Sequence, residues 1–161
     1  MKRSIIKQSD LSIIEEACLQ ELIASNMYRN LSIQCLGLGY FGASKFFDNE
    51  ANDELKHYSL HVEFLNNRGK NASVPAINAQ TKEVSSLEQA LTIAYKAEYQ
   101  LGELYNKWYS QAEVPTMIHL QQFVEIQVKA IGEYGDWLAR LGLVSDDSCG
   151  ILLIDKEMGE V

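Results

Sequence analysis

Hydrophobic and polar positions along the chain fall into four long stretches of helical period separated by polar breaks. In the first, Leu11, Ile14, Cys18, Glu21, Ser25 and Tyr28 recur at steps of three and four, the spacing that places side chains on one helix face. This predicts a helix over about 10–38, capped by Asp10 or Ser12, with Glu15 completing a capping box behind Ser12. Residues 1–9 read as a mobile or loosely docked arm, and Gly37, Gly39 and Gly42 as a turn. A second helix follows over about 43–68, with the row Ala43, Phe47, Glu50, Glu54, His57, His61, Phe64 and a stop at Gly69. A third is expected over 85–111, opened by a Ser85–Glu88 capping box, with the row Leu87, Leu91, Ala94, Glu98, Leu101, Tyr105, Trp108. Pro115 opens a fourth over 115–141, with the row Leu120, Val124, Gln127, Ile131, Tyr134, Leu138, Leu141. An apolar segment at 150–154 predicts a short fifth helix over about 147–158. It carries more apolar surface than a tail needs, so it is expected to pack on a neighbouring subunit.

The break at residues 70–84 sets the topology. A structureless loop of that length is unusual inside a compact domain. The second helix is about 40 Å long at about 1.5 Å per residue. Fifteen extended residues reach about 50 Å, so the loop can return along the whole bundle and leave helices two and three parallel. The predicted architecture is all-α: a four-helix bundle with one long crossover and a short fifth helix, in one domain spanning residues 1–161.

Composition narrows the partners. The 161 residues are 47% hydrophobic with only two prolines, in keeping with long helices around one core. A net charge of −8 argues against nucleic acid, whose phosphates call for a basic surface. No apolar run reaches the length that spans a bilayer, and no signal-peptide core follows the basic start. A cytoplasmic location is expected. Cys18, Cys35 and Cys149 are odd in number and scattered, which suits neither a disulfide framework nor a zinc site.

What departs from a plain bundle is a polar insertion near the middle of every inward row: Glu21, Glu54 with His57, Glu98, and Gln127. Glu54 and His57 form a Glu-x-x-His pair whose side chains share one helix face. Buried carboxylates must pair, protonate or bind a cation. Three carboxylates and an imidazole around one axis make an oxygen-rich donor set with one nitrogen, suited to iron or manganese. Glu54 can bridge two metals, with Glu21 and His57 on one and Glu98 on the other. A metal-free ion and hydrogen-bond network is the alternative reading of the same residues.

At this point the chain resembles a ferritin over nearly its full length. The resemblance rests on Glu21 with Tyr28 seven residues on, Asp53-Glu54-Leu55-Lys56-His57, Asn66-Asn67-Arg68-Gly69, and Glu98. Gln127-Val128-Lys129-Ala130-Ile131 with Gly135-Asp136 is similar to the last bundle helix of eukaryotic heavy chains. Leu153-Ile154-Asp155-Lys156-Glu157 looks more like bacterial ferritins. The resemblance implies a homo-oligomeric 24-subunit shell that oxidises Fe(II) with dioxygen or hydrogen peroxide at a di-iron site and stores ferric mineral. Carried over by position, Glu21, Glu54 and His57 ligate the first iron, and Glu54 and Glu98 the second, with Gln127 beside it. Tyr28 is the nearby tyrosine that bonds a ligand or supplies an electron.

The departures from the family pattern shape the expectations. Gln127 and Ala130 stand where some relatives carry a second Glu-x-x-His, and Leu55 replaces the haem methionine of bacterioferritins, so no haem is expected. Ile126, Lys129 and Ala130 leave little of a third iron site. Met117 and Leu120, with His119 near, take the places of the acids that line three-fold entry channels in animal shells. Lys56 and Ser59 replace acids that seed mineral. Glu50 and His61 read as surface or interface residues, with iron transit ligands as the alternative. Two other functions compete: a shell without oxidation chemistry, against which the complete ligand set counts, and a di-iron oxidase of an organic substrate, against which the lack of a last-helix carboxylate counts.

Overall fold

The computed structural model describes residues 2–161. Five α-helices follow in order: α1 (Gln8–Leu38), α2 (Phe41–Asn67), α3 (Leu87–Gln111), α4 (Val114–Val144) and α5 (Ser148–Met158), with no strand among the described residues. None of these helices is long and apolar enough to cross a membrane. α1 packs mainly on α2 and α3 on α4, and α5 lies across the start of α2 and the end of α4.

The hydrophobic rows become the seams of the bundle. Every member of the α1 and α3 rows is buried, Glu21 and Glu98 included. On α2, Ala43, Phe47, Glu54 and His61 are buried, while Glu50, His57 and Phe64 are half-buried. On α4 the seam deviates from the expected row. Phe123 and Trp137 take core positions, and Val124, Ile131 and Leu138 flank them half-buried.

The core divides into two apolar regions. One holds Tyr28, Leu31, Ala43, Phe47, Leu87, Leu91 and Tyr134; the other holds Leu11, Ile14, Leu65, Leu101, Tyr105, Leu120 and Phe123. α2 and α3 both begin in the first region and finish in the second, so they run parallel. Residues 70–86 make the return: Ala72 packs at the second region, Val84 at the first, and Asn30 Nδ2 on α1 donates to the Lys82 carbonyl at 2.8 Å on the way.

Several helix ends are capped from a distance. α1 starts at Gln8 with no side-chain cap, and the Ser12 hydroxyl bonds back to the Gln8 carbonyl. Asp10 instead is buried and accepts from the Glu113 N–H at 3.2 Å, satisfying an orphan donor at the start of α4. The box at α3 sits one residue beyond expectation. Ser86 accepts from Gln89 N, and Gln89 Oε1 accepts from Ser85 N. Asp155 of α5 accepts from the N–H groups of Gly42 and Ala43, capping α2. Gly42 lies inside α2, and a Cβ there would sit 1.7 Å from the Asp155 carbonyl oxygen, so only glycine lets α5 dock. The turn itself falls at Gly39, with φ of 88°. The N-terminal arm is docked: Ile5 N–H donates to the Arg68 carbonyl and Arg68 Nη2 donates to the Ile5 carbonyl.

Candidate metal centre

Between the two apolar regions lies a polar layer supplied by all four long helices. Glu21 comes from α1, Glu54 and His57 from α2, Glu98 from α3 and Gln127 from α4. All are buried except His57, which is half-buried and opens the layer on one side. One ligand atom each from Glu21, Glu54 and His57 lie within 4.8 Å of one another. His57 Nδ1 is 3.0 Å from Glu54 Oε2 and 3.6 Å from Glu21 Oε2. Glu98 belongs to the same layer but stands outside that tight group, and Gln127 is the buried polar residue that α4 adds.

Each of two carboxylates is held at one oxygen by a tyrosine. Tyr28 O–H donates to Glu98 Oε1, and Tyr105 O–H donates to Glu21 Oε1. Both phenols are fully buried. The remaining oxygens, Glu21 Oε2 and Glu98 Oε2, have no hydrogen-bond partner, and neither does Gln127 Oε1. A buried acceptor left unpaired costs about 1–3 kcal/mol, and three in one layer mark a place where a cation is wanted.

The charges tell the same story. Burial disfavours ionisation of Glu21, but the neighbouring Glu54, His57 and His61 outweigh it and hold this carboxyl below the usual range. Glu54 is pushed well up by burial and by the neighbouring Glu21 carboxylate. Glu98 is pushed up to about 7 by burial, against the opposing hydrogen bond from Tyr28. For His57 burial opposes the charged form, but the adjacent Glu21 carboxylate raises it overall. Protons thus stand in for positive charge that a cation would supply.

A family model described as the ferritin-like domain matches residues 12–144. The chain belongs to that family. It is 26% identical to a probable bacterial non-heme ferritin-like protein of Haemophilus influenzae, covering 98% of both chains. It is 24% identical to the bacterial non-heme ferritin of an Escherichia coli O6:H1 strain, over 96% of each. An open-pore ferritin from Archaeoglobus fulgidus superposes with a TM-score of 0.92 at 21% identity, covering 96% of this chain and 98% of that one, which establishes the ferritin fold. Membership places the chain among iron-storing proteins.

Two expectations for this ferritin change in the structure. His61 is no surface residue: it is fully buried, its Nε2 lies 2.8 Å from the Tyr105 hydroxyl, and its Nδ1 lies 2.9 Å from His119 Nε2. Leu120 is fully buried in the second apolar region, so it faces no channel, while Met117 is half-buried. Glu50 is half-buried and takes a hydrogen bond from Tyr134 at 3.2 Å. Burial, then the charges of Glu98 and Glu133, push its carboxyl up to about 7. Sequence reasoning left Tyr105 and His119 out of the site. The available signal was Tyr105, about two turns beyond Glu98 on a wholly buried row, where a hydroxyl must find a partner.

Proposed function

We propose that this ferritin oxidises Fe(II) at the buried layer and that the product is stored as ferric mineral inside a homomeric shell of 24 subunits in the cytoplasm. Each subunit acts as one domain. The observation that carries the reading is the set of unpartnered buried acceptors, Glu21 Oε2, Glu98 Oε2 and Gln127 Oε1, converging between four helices. Glu21, Glu54 and His57 would hold one Fe(II). Glu54 and Glu98 would hold a second, with Gln127 beside it. Glu54 is then the bridging carboxylate, which suits the one glutamate of the three that no tyrosine engages.

Two Fe(II) ions supply the two electrons that take dioxygen to hydrogen peroxide, or peroxide to water. The chain's part is to hold the pair at fixed separation, to exchange the protons now resting on Glu54 and Glu98 for iron, and to exclude bulk water with the apolar regions on either side. Tyr28, hydrogen-bonded to Glu98, is placed to hold that ligand or to give up an electron.

The test is stopped-flow absorbance after adding two Fe(II) per subunit under air. Wild type should show a fast phase that Glu98→Ala abolishes while the shell stays assembled. An intact wild-type shell with no fast phase under air or with peroxide would instead establish a passive storage shell.

A further inference from the structure

Behind Glu21, on the side away from the layer's centre, runs a row of side chains to which the ligand set assigns no part. Tyr105 of α3 donates to Glu21 Oε1, its oxygen lies 2.8 Å from His61 Nε2 of α2, and His61 Nδ1 lies 2.9 Å from His119 Nε2 of α4. Hydrogen-bond chemistry orients the row. An ionised carboxylate only accepts, so Tyr105 donates to it. The phenol oxygen then accepts, which puts a proton on His61 Nε2. In the neutral ring Nδ1 is left as acceptor, and His119 donates to it from Nε2. The rings are also clamped by stacking: Phe123 lies on His61 at 4.2 Å and Phe64 on His119 at 4.2 Å.

The consequence falls on Glu21. One of its oxygens is engaged by Tyr105 and the other, Oε2, is buried, unpartnered and 3.6 Å from His57 Nδ1. Resting on the reading that the layer takes Fe(II), we propose that Tyr105, held in turn by His61 and His119, is a positioning residue that makes Glu21 a one-oxygen ligand through Oε2. It does for Glu21 what Tyr28 does for Glu98. Without it the carboxylate is free to turn about its broad terminal torsion and to present either oxygen, or both. The first metal position is then no longer preorganised.

Anaerobic titration of the assembled full-length protein with Co(II), followed by its visible ligand-field spectrum, tests this without iron turnover. Tyr105→Phe should weaken one Co(II) position by about tenfold to a hundredfold and change its band intensity, leaving the other position as in wild type. Tyr28→Phe should perturb the other position instead. His61→Leu should copy Tyr105→Phe, whereas His61→Gln, which keeps a donor near the place of Nε2, should stay close to wild type. Wild-type affinity and spectrum in Tyr105→Phe would overturn the proposal. Should that variant fail to fold, equal losses in His61→Leu and His61→Gln would overturn it by showing that packing alone matters. Wild type that binds no Co(II) in the layer would overturn both this inference and the metal-centre reading beneath it.

Discussion

Replacing Glu98 with glutamine should make the metal-free protein more stable, although it removes a proposed ligand. Glu98 is buried and its carboxyl is pushed from an ordinary 4.5 up to about 7, first by burial. A folded state that holds its proton more tightly than the unfolded chain is most stable at low pH. It loses stability as pH rises between the two values. The gap is worth about 3 kcal/mol at about 1.36 kcal/mol per pH unit. Glutamine has the same shape without the charge. It can still accept from Tyr28, and its amide can donate toward the unpartnered Gln127 Oε1. The assay is thermal unfolding of metal-free wild type and Glu98→Gln across pH 4 to 9, read as the difference between the two. The variant should gain steadily above pH 4.5 and hold an advantage of about 3 kcal/mol above pH 7. Fe(II) added without air should reverse the order, since ligand at about 1,000 times Kd stabilises wild type by about 4.1 kcal/mol, more than the variant's advantage. A difference that stays flat with pH, or a less stable variant at pH 8, would refute the reasoning that burial of this charge is what strains the layer.

Three further outcomes follow from other parts of the molecule. His57→Ala should lower Fe(II) affinity by about 100-fold or more, seen by anaerobic titration, with the helical circular dichroism unchanged because the ring is half-buried at the layer's edge. Gly42→Ala should cost about 3 kcal/mol in thermal unfolding and expose α5 to proteolysis, because its Cβ would collide with the Asp155 carbonyl oxygen. Burial pushes the Cys18 and Cys35 thiols up to about 12. A Cys149→Ser variant should therefore be inert to thiol reagents at pH 8 until it is unfolded, when two thiols per chain should react.

Much of this fold can be read from spacing because α1 and α3 carry their rows without interruption. Leu87, Leu91, Ala94, Glu98, Leu101, Tyr105 and Trp108 repeat at helical period, and all seven are buried. The same regularity makes Glu98 conspicuous, since no edge of the stripe is available to a carboxylate flanked by core residues. On α4 the row is less exact, because Phe123 and Trp137 compete with Val124 and Leu138 for the seam and the larger rings win it. Long-range capping was out of reach. Asp10 looks like the cap of its own helix but serves the start of α4, and Asp155 serves α2 from more than a hundred residues away. Adjacent serines made the α3 box ambiguous by one position, and Gln89 decided it for Ser86. In the candidate centre, the Glu-x-x-His spacing was enough to pair Glu54 with His57, and mid-row depth was enough to add Glu21, Glu98 and Gln127. The row through Tyr105, His61 and His119 joins three helices, and no local pattern along one of them shows that its polar atoms meet.

The central claim is that the layer between the two apolar regions holds two Fe(II) ions per subunit. The most direct measurement is anomalous diffraction at the iron edge from crystals soaked anaerobically with Fe(II). Two peaks are expected in every subunit, one among Glu21 Oε2, Glu54 and His57 Nδ1 and one between Glu54 and Glu98 Oε2. Iron found only on the shell surface or at subunit contacts, with the layer still empty at saturating Fe(II), would contradict it.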